Sequence, residues 1–409
     1  MKTMMVVAVV TLVDVLGVPM LSGGGDLPEL VDGNTDFALD LFGHLSQEKP
    51  NQNIFFSPFS ISSALAMTCA GARGETESQM ADVLHIDLPQ SWVHPAFMEL
   101  NEKLDPEYRA SLAEDDAEPL VLEVANAIWV EASYPLLDGY LSLVHIYYGA
   151  EARNVDFGGN PEAQRQLINE WVSEKTRDKI TDLLPFGSVN DLTRVILTNA
   201  IYFKGSWMDQ FEESLTRSRD FTMLDGSVIR VPMMHRTDTF AYQDGYGCRA
   251  ISLPYSDHMS SMLVLLPDGK LSEFERSFDR RTLEQVRENL LGTEVRLAMP
   301  SFEFTSSFSL GETLVELGME DAFQEGGADF SGMTGNKELF VSNVIHEAFV
   351  KVDETGTEAA AATAVVMGGP TAAPPPPIEL VLDRSFLFVI MDDLSGSVLF
   401  MGRLADPSS

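Results

Sequence analysis

The sequence predicts one large α+β domain. Helical and strand patterns are mixed along all 409 residues, of which 45% are apolar. No internal linker is long or polar enough to mark a boundary. No repeat recurs at a fixed period.

The elements follow in chain order. Met1-Lys2-Thr3 precedes an apolar run from Met4 to Val18, with small residues from Gly23. A cationic start, a short apolar stretch and small residues describe a secretory signal peptide. Residues 1–23 are therefore expected to be removed on export, leaving a secreted, extracellular protein. The run is too short to span a bilayer, and no second apolar stretch is long enough. Asp406-Pro407-Ser408-Ser409 carries no retention signal. Ala64 to Ala70 reads as an apolar helical stretch, with Cys69 as a small buried hydrophobe. The only other cysteine is Cys248. A domain this large needs no disulfide scaffold, and a single bridge between the two stays open. Gln164 to Leu184 places Leu167, Trp171, Ile180 and Leu183 at roughly helical spacing between Pro161 and Pro185. Ser261 to Pro267, Val295 to Phe304 and the alternating run Val341 to Val352 read as strands.

The segment after that last strand is the most informative. It runs Glu354-Thr355-Gly356-Thr357-Glu358-Ala359-Ala360-Ala361-Ala362-Thr363-Ala364, then reaches Gly368-Gly369-Pro370 and Pro374-Pro375-Pro376-Pro377. Alanine favours helix, but a short helix between a strand and a polyproline run is marginal. A mobile loop that can become a strand fits better. Thr357, Ala359, Ala361, Thr363, Val365 and Met367 would share one small, uncharged face, with Glu358 on the other. A flexible linker is the alternative reading of this composition.

The chain carries 27 Lys+Arg against 62 Asp+Glu, a formal net charge of −35. That argues against nucleic acid, heparin-like polyanions and anionic membranes as partners. There is no Asn-x-Ser/Thr sequon. His346-Glu347-Ala348-Phe349-Val350 begins like a zinc HExxH motif but lacks the second histidine and lies in a strand-like run. No Gly-x-Ser-x-Gly elbow, phosphate loop or zinc-spaced cysteine pair is present. No enzyme, cofactor or metal site is expected.

Several long segments, in order, resemble the serpin family from about Thr35 to Pro407. They are the hinge above, Asn53-Ile54-Phe55-Phe56-Ser57-Pro58-Phe59-Ser60-Ile61, Leu197-Thr198-Asn199-Ala200-Ile201-Tyr202-Phe203-Lys204-Gly205-Ser206-Trp207, Phe386-Leu387-Phe388-Val389-Ile390 and Leu399-Phe400-Met401-Gly402-Arg403-Leu404. The resemblance implies three β-sheets surrounded by about nine helices, with an exposed reactive-centre loop over residues 356–378. It implies a monomeric, metastable suicide-substrate inhibitor of serine or cysteine endopeptidases. The alternative is a non-inhibitory carrier, chaperone or storage protein.

The resemblance also assigns residues. Glu354, Gly356, Thr357, Glu358, Ala359, Ala360, Ala361, Ala362 and Thr363 match the hinge. Ser57, Ser60, Asn199 and His346 match a polar cluster called the shutter, beneath the main sheet. Trp207 matches the breach, where the loop enters. The family's lysine partner for Glu354 falls at Ser301, so that ion pair is expected to be absent. Its glycosaminoglycan-binding region corresponds to Asn101–Glu118, which carries Glu114-Asp115-Asp116 and only Lys103 and Arg109 as cations. The reactive bond falls fourteen residues after Gly356, at Pro370-Thr371. Because proline is a poor residue to cleave after, Met367-Gly368 and Ala372-Ala373 are alternatives. They suit chymotrypsin-, elastase- or subtilisin-like proteases. No Arg or Lys lies between Gly356 and Ile378, which disfavours trypsin-like targets.

Overall fold

Strands in the computed structural model, which describes residues 26–112, 120–357 and 376–408, form two hydrogen-bonded sheets. The signal-peptide segment, Glu358–Thr363 and all three candidate reactive bonds lie outside the described residues.

The main sheet runs in the order Phe302–Ser309, Val341–Val352, Val195–Ser206, Val121–Glu131 and Glu151–Val155, and the two-residue strand Gly356–Thr357 also pairs with Val195–Ser206. The second sheet contains nine strands. The resemblance implied three sheets. Two are joined here because the 18-residue strand Val228–Gly245 pairs in turn with Arg217–Thr222, Leu291–Pro300 and Cys248–Pro254. Eleven α-helical segments occur among the described residues instead of about nine, several of them only one or two turns long. The α+β class and the single domain hold.

Helix Pro58–Gly71 is buried along its whole length and packs on Val121–Glu131 and Val195–Ser206 of the main sheet and on Val398–Leu404 of the other. A helix apolar on every side must be enclosed in this way. Its start follows from local chemistry: Pro58 occupies the first turn, and Ser57 Oγ accepts the Ser60 N–H at 3.2 Å. The C-terminal strands Phe386–Asp392 and Val398–Leu404 form an antiparallel hairpin, and Val341–Val352 has the bounds read from its alternation.

Two expectations need correction. Val295 to Phe304 is not one strand: Leu291–Pro300 ends at a proline, and Phe302–Ser309 begins after Ser301 in the other sheet. Proline cannot donate to a ladder, so it marks the crossing. The helix expected over Gln164 to Leu184 spans Pro161–Lys175 only. Arg177 and Asp178 take positive φ, and Ile180 and Leu183 reach the core from the following loop.

Candidate functional site

Val341–Val352 and Val195–Ser206 run parallel; after a bulge between Val341 and Asn343 they stay in register from Asn343↔Ile196 through His346↔Asn199 to Phe349↔Tyr202. Beyond that rung the chain leaving Val352 turns back. Asp353 N–H donates to Gly356 O at 2.9 Å, and Gly356–Thr357 pairs antiparallel with Ser206 and Gly205. The start of the segment that the resemblance assigns as the hinge is therefore wedged against the open end of a parallel seam.

The wedge is tightly built. A Cβ on Gly356 would come within 2.3 Å of Gly205 O and 2.6 Å of Ser206 Cα, and its φ is 153°. Only glycine fits a backbone approach this close. Trp207 N–H donates to Thr355 O at 3.0 Å, and its indole Nε1–H donates to Asp353 O at 3.0 Å. Its ring stacks on Tyr255, with centroids 4.9 Å apart and planes 10° apart. Thr357 is buried, and its hydroxyl lies 3.0 Å from the Tyr255 hydroxyl. Glu354 takes the Thr216 hydroxyl at 2.5 Å, and the Ser301 N–H is committed to Pro232 O. Tyr255 and Thr216 were not anticipated, because they come from segments far from the hinge in sequence: Tyr255 follows strand Cys248–Pro254 and Thr216 precedes Arg217–Thr222.

Three rungs below Phe349 lies a buried polar cluster that brings together Ser57, Ser60, Asn199 and His346. His346 Nε2 accepts the Ser57 N–H at 3.2 Å, and its Nδ1–H donates to Asn199 Oδ1. The roles follow because a backbone N–H can only donate, which fixes the neutral Nδ1–H tautomer. Burial pushes the imidazole down to about 3. Asn199 Nδ2 donates to Ser60 Oγ at 2.6 Å and to Asn126 Oδ1, while Ser57 Oγ donates to Leu399 O at 2.7 Å. Asn126 is the member the sequence reading missed. Its signal was a lone amide within the buried run Ala125–Val130 of strand Val121–Glu131. The partial HExxH motif is a strand, with His346 committed to this cluster.

Among the described residues, no group of three His, Cys, Asp or Glu side chains is placed to hold a metal. Cys69 and Cys248 are free, and burial pushes both thiols up to about 12. Of the two cations in the Asn101–Glu118 region, Lys103 lies 3.7 Å from Glu99. Arg109 is buried between Asp257 and Asp392, at 2.5 and 2.6 Å.

The family model described as Serpin (serine protease inhibitor) matches residues 32–407. The leukocyte elastase inhibitor of Equus caballus is 39% identical over 391 residues, covering 93% of this chain and 100% of that protein. The human leukocyte elastase inhibitor is 38% identical over 393 residues, with the same coverage. An uncharacterised serpin-like protein of Thermococcus kodakarensis is 38% identical over 392 residues, covering 95% of this chain and 88% of its own. The crystal structure of human thyroxine-binding globulin superposes with a TM-score of 0.82 at 30% identity, covering 93% of this chain and 99% of that one. A thyroxine-binding globulin and leukocyte elastase inhibitors thus resemble this chain, and the chain belongs to the serpin family.

Proposed function

We propose that this serpin is a secreted suicide-substrate inhibitor of endopeptidases. It presents residues 356–378 as bait, is acylated by the protease, and then inserts the cleaved loop between Val195–Ser206 and Val341–Val352. The observation that carries this reading is the antiparallel start of the hinge at the open end of a closed parallel seam.

Continuing the Thr357↔Gly205 register pairs Thr363 with Asn199 and Met367 with Val195. Thr357, Ala359, Ala361, Thr363, Val365 and Met367 then face the buried helix, and Glu358 falls opposite Lys204 on the outer face. Insertion replaces one parallel pairing with two antiparallel ones, the slightly more stable kind. Serpin loop insertion is itself a recognised instance of strand addition. Roughly ten new backbone hydrogen bonds at ~0.5–1.5 kcal/mol net amount to about 10 kcal/mol. The uninserted state is then kinetically trapped.

The small hinge favours inhibition over the carrier reading, and the elastase inhibitors named above support a protease as partner. The loop composition suggests a chymotrypsin-, elastase- or subtilisin-like enzyme, and the apolar N-terminal run supports export. Among the described residues of the Asn101–Glu118 region, Arg109 is buried in ion pairs and Lys103 is paired with Glu99, which argues against a heparin site there.

The test is to nick the loop between Thr363 and Ala373 and melt both forms. Insertion should raise the unfolding temperature by on the order of 20 °C. Nicked and intact protein melting together would overturn the inhibitory reading. Sequencing the mature N-terminus tests export, with an intact Met1 as the contrary result.

A further inference from the structure

The loop Thr176–Leu184 crosses the outer face of the main sheet at the last closed rung of the seam. It is fixed at both ends. Thr176 Oγ1 donates to Val172 O at 2.8 Å and accepts the Ile180 N–H at 3.2 Å. Asp182 Oδ1 accepts from Arg165 at 3.1 Å and Asn169 at 2.9 Å. Between these anchors, Arg177 pairs with Glu123, which lies opposite Tyr202. Successive left-handed residues, Arg177 and Asp178, turn the chain so that Lys179 lies over the sheet. Its ammonium sits 5.7 Å from the Tyr202 ring centroid and 5.3 Å from that of Phe349. These two rings form the final rung, one from each strand that must separate.

We propose that Lys179 is a cation–π clip across the seam and a positioning residue that sets the rate of loop insertion. This rests on the inhibitory reading above. A new strand moves the two rings apart by about another 4.8 Å. Cation–π attraction fades beyond about 6 Å from a ring centroid, so one ammonium cannot keep both rings. Arg177 ties the loop to the Glu123 side, so the contact with Phe349 is the one lost. In the register above, Ala360 takes the place between the rings, too small to restore it.

A synthetic peptide with the sequence of residues 357–367 is the probe, and its uptake by intact protein is followed by native gel. Lys179→Gln should take up the peptide about fivefold faster than wild type, the size expected for losing one such contact. Lys179→Arg, which keeps the cation, should stay within about twofold of wild type. Phe349→Leu should match Lys179→Gln, and the double variant should be no faster than either single one. An unchanged Lys179→Gln rate, an arginine that fails to restore it, or additive acceleration in the double variant would each overturn the clip. A wild-type protein that takes up no peptide would instead overturn insertion itself.

Discussion

At Asn199 and at Gly205 one strand meets its hinge-side neighbours in two different ways. Around Asn199 the seam is closed by side chains: His346, Ser60 and Asn126 surround a buried amide, and all four are nearly inaccessible. Around Gly205 the two strands are no longer paired, and the gap is filled by backbone and aromatic faces, with Gly356 in contact and Trp207 stacked on Tyr255. The contrast lies in what each region loses on opening. Separating strands at the polar cluster strands buried donors and acceptors, at about 1–3 kcal/mol for each group left unsatisfied. The upper end is already parted and needs only a longer wedge. Under the proposed mechanism, insertion would start where opening costs least. In the proposed register it reaches Asn199 carrying Thr363, whose hydroxyl can replace what the parting strands lose.

The strongest way to break the comparison is at the wedge. Thr357 is buried against Tyr255, so Thr357→Arg puts a cation into the interior, at a cost of several kcal/mol unless it is paired. Attack on the reactive-centre loop should persist while insertion slows. Mixing the variant with subtilisin should then yield cleaved product in place of covalent complex. Unchanged trapping would show that the buried Thr357 position does not gate insertion of the residues that follow it.

At the polar cluster, Asn126→Ala removes the acceptor of both Ser60 Oγ and Asn199 Nδ2. Urea unfolding should show a loss of about 1–3 kcal/mol. A loss below 0.5 kcal/mol, the level of an ordinary surface substitution, would mean that the amide is not part of the closure.

The next effect is one of pH. His346 is neutral when folded, pushed down to about 3 by burial, against about 6.5 in an unfolded chain. The unfolded state binds the extra proton between those values. The stability is therefore fully present above about pH 6.5 and is lost as pH falls from there towards 3. His94, also buried and pushed down to about 4, acts in the same direction. The measurement is thus a difference: His346→Gln should have a shallower stability slope between pH 6.5 and 4 than wild type. Equal slopes would mean that His346 does not titrate this way.

The smallest effect belongs to the outer face. Lys204→Glu would place like charges opposite each other once Glu358 inserts, a penalty of roughly 0.2–1 kcal/mol. Nicked Lys204→Glu protein should melt slightly lower than nicked wild type, while the intact forms should differ less. Equal shifts in both forms would point to a different inserted register.

Much of this site was legible from local pattern. Alternation delimits Val341–Val352, and the small residues after Gly356 mark a segment able to enter a sheet. The helix start at Ser57-Pro58 was reached only through the resemblance, although its cap is local chemistry that needs no distant partner. The misses share a cause. The break at Ser301 and the helix end at Lys175 come from chain segments changing layer, which periodicity does not report. Asn126 and Tyr255 join the site only because segments distant in sequence bring them there.

The amino-acid order by itself determined the element types, the apolar helix that must be enclosed, and a hinge without bulk, because each depends on neighbours within a turn or a pleat. Tertiary structure decided where that hinge begins to pair, which amide completes the buried cluster, and that Lys179 lies over Tyr202 and Phe349. Those are contacts between segments tens to hundreds of residues apart. Their energies are set by distance and burial, which only the folded chain supplies.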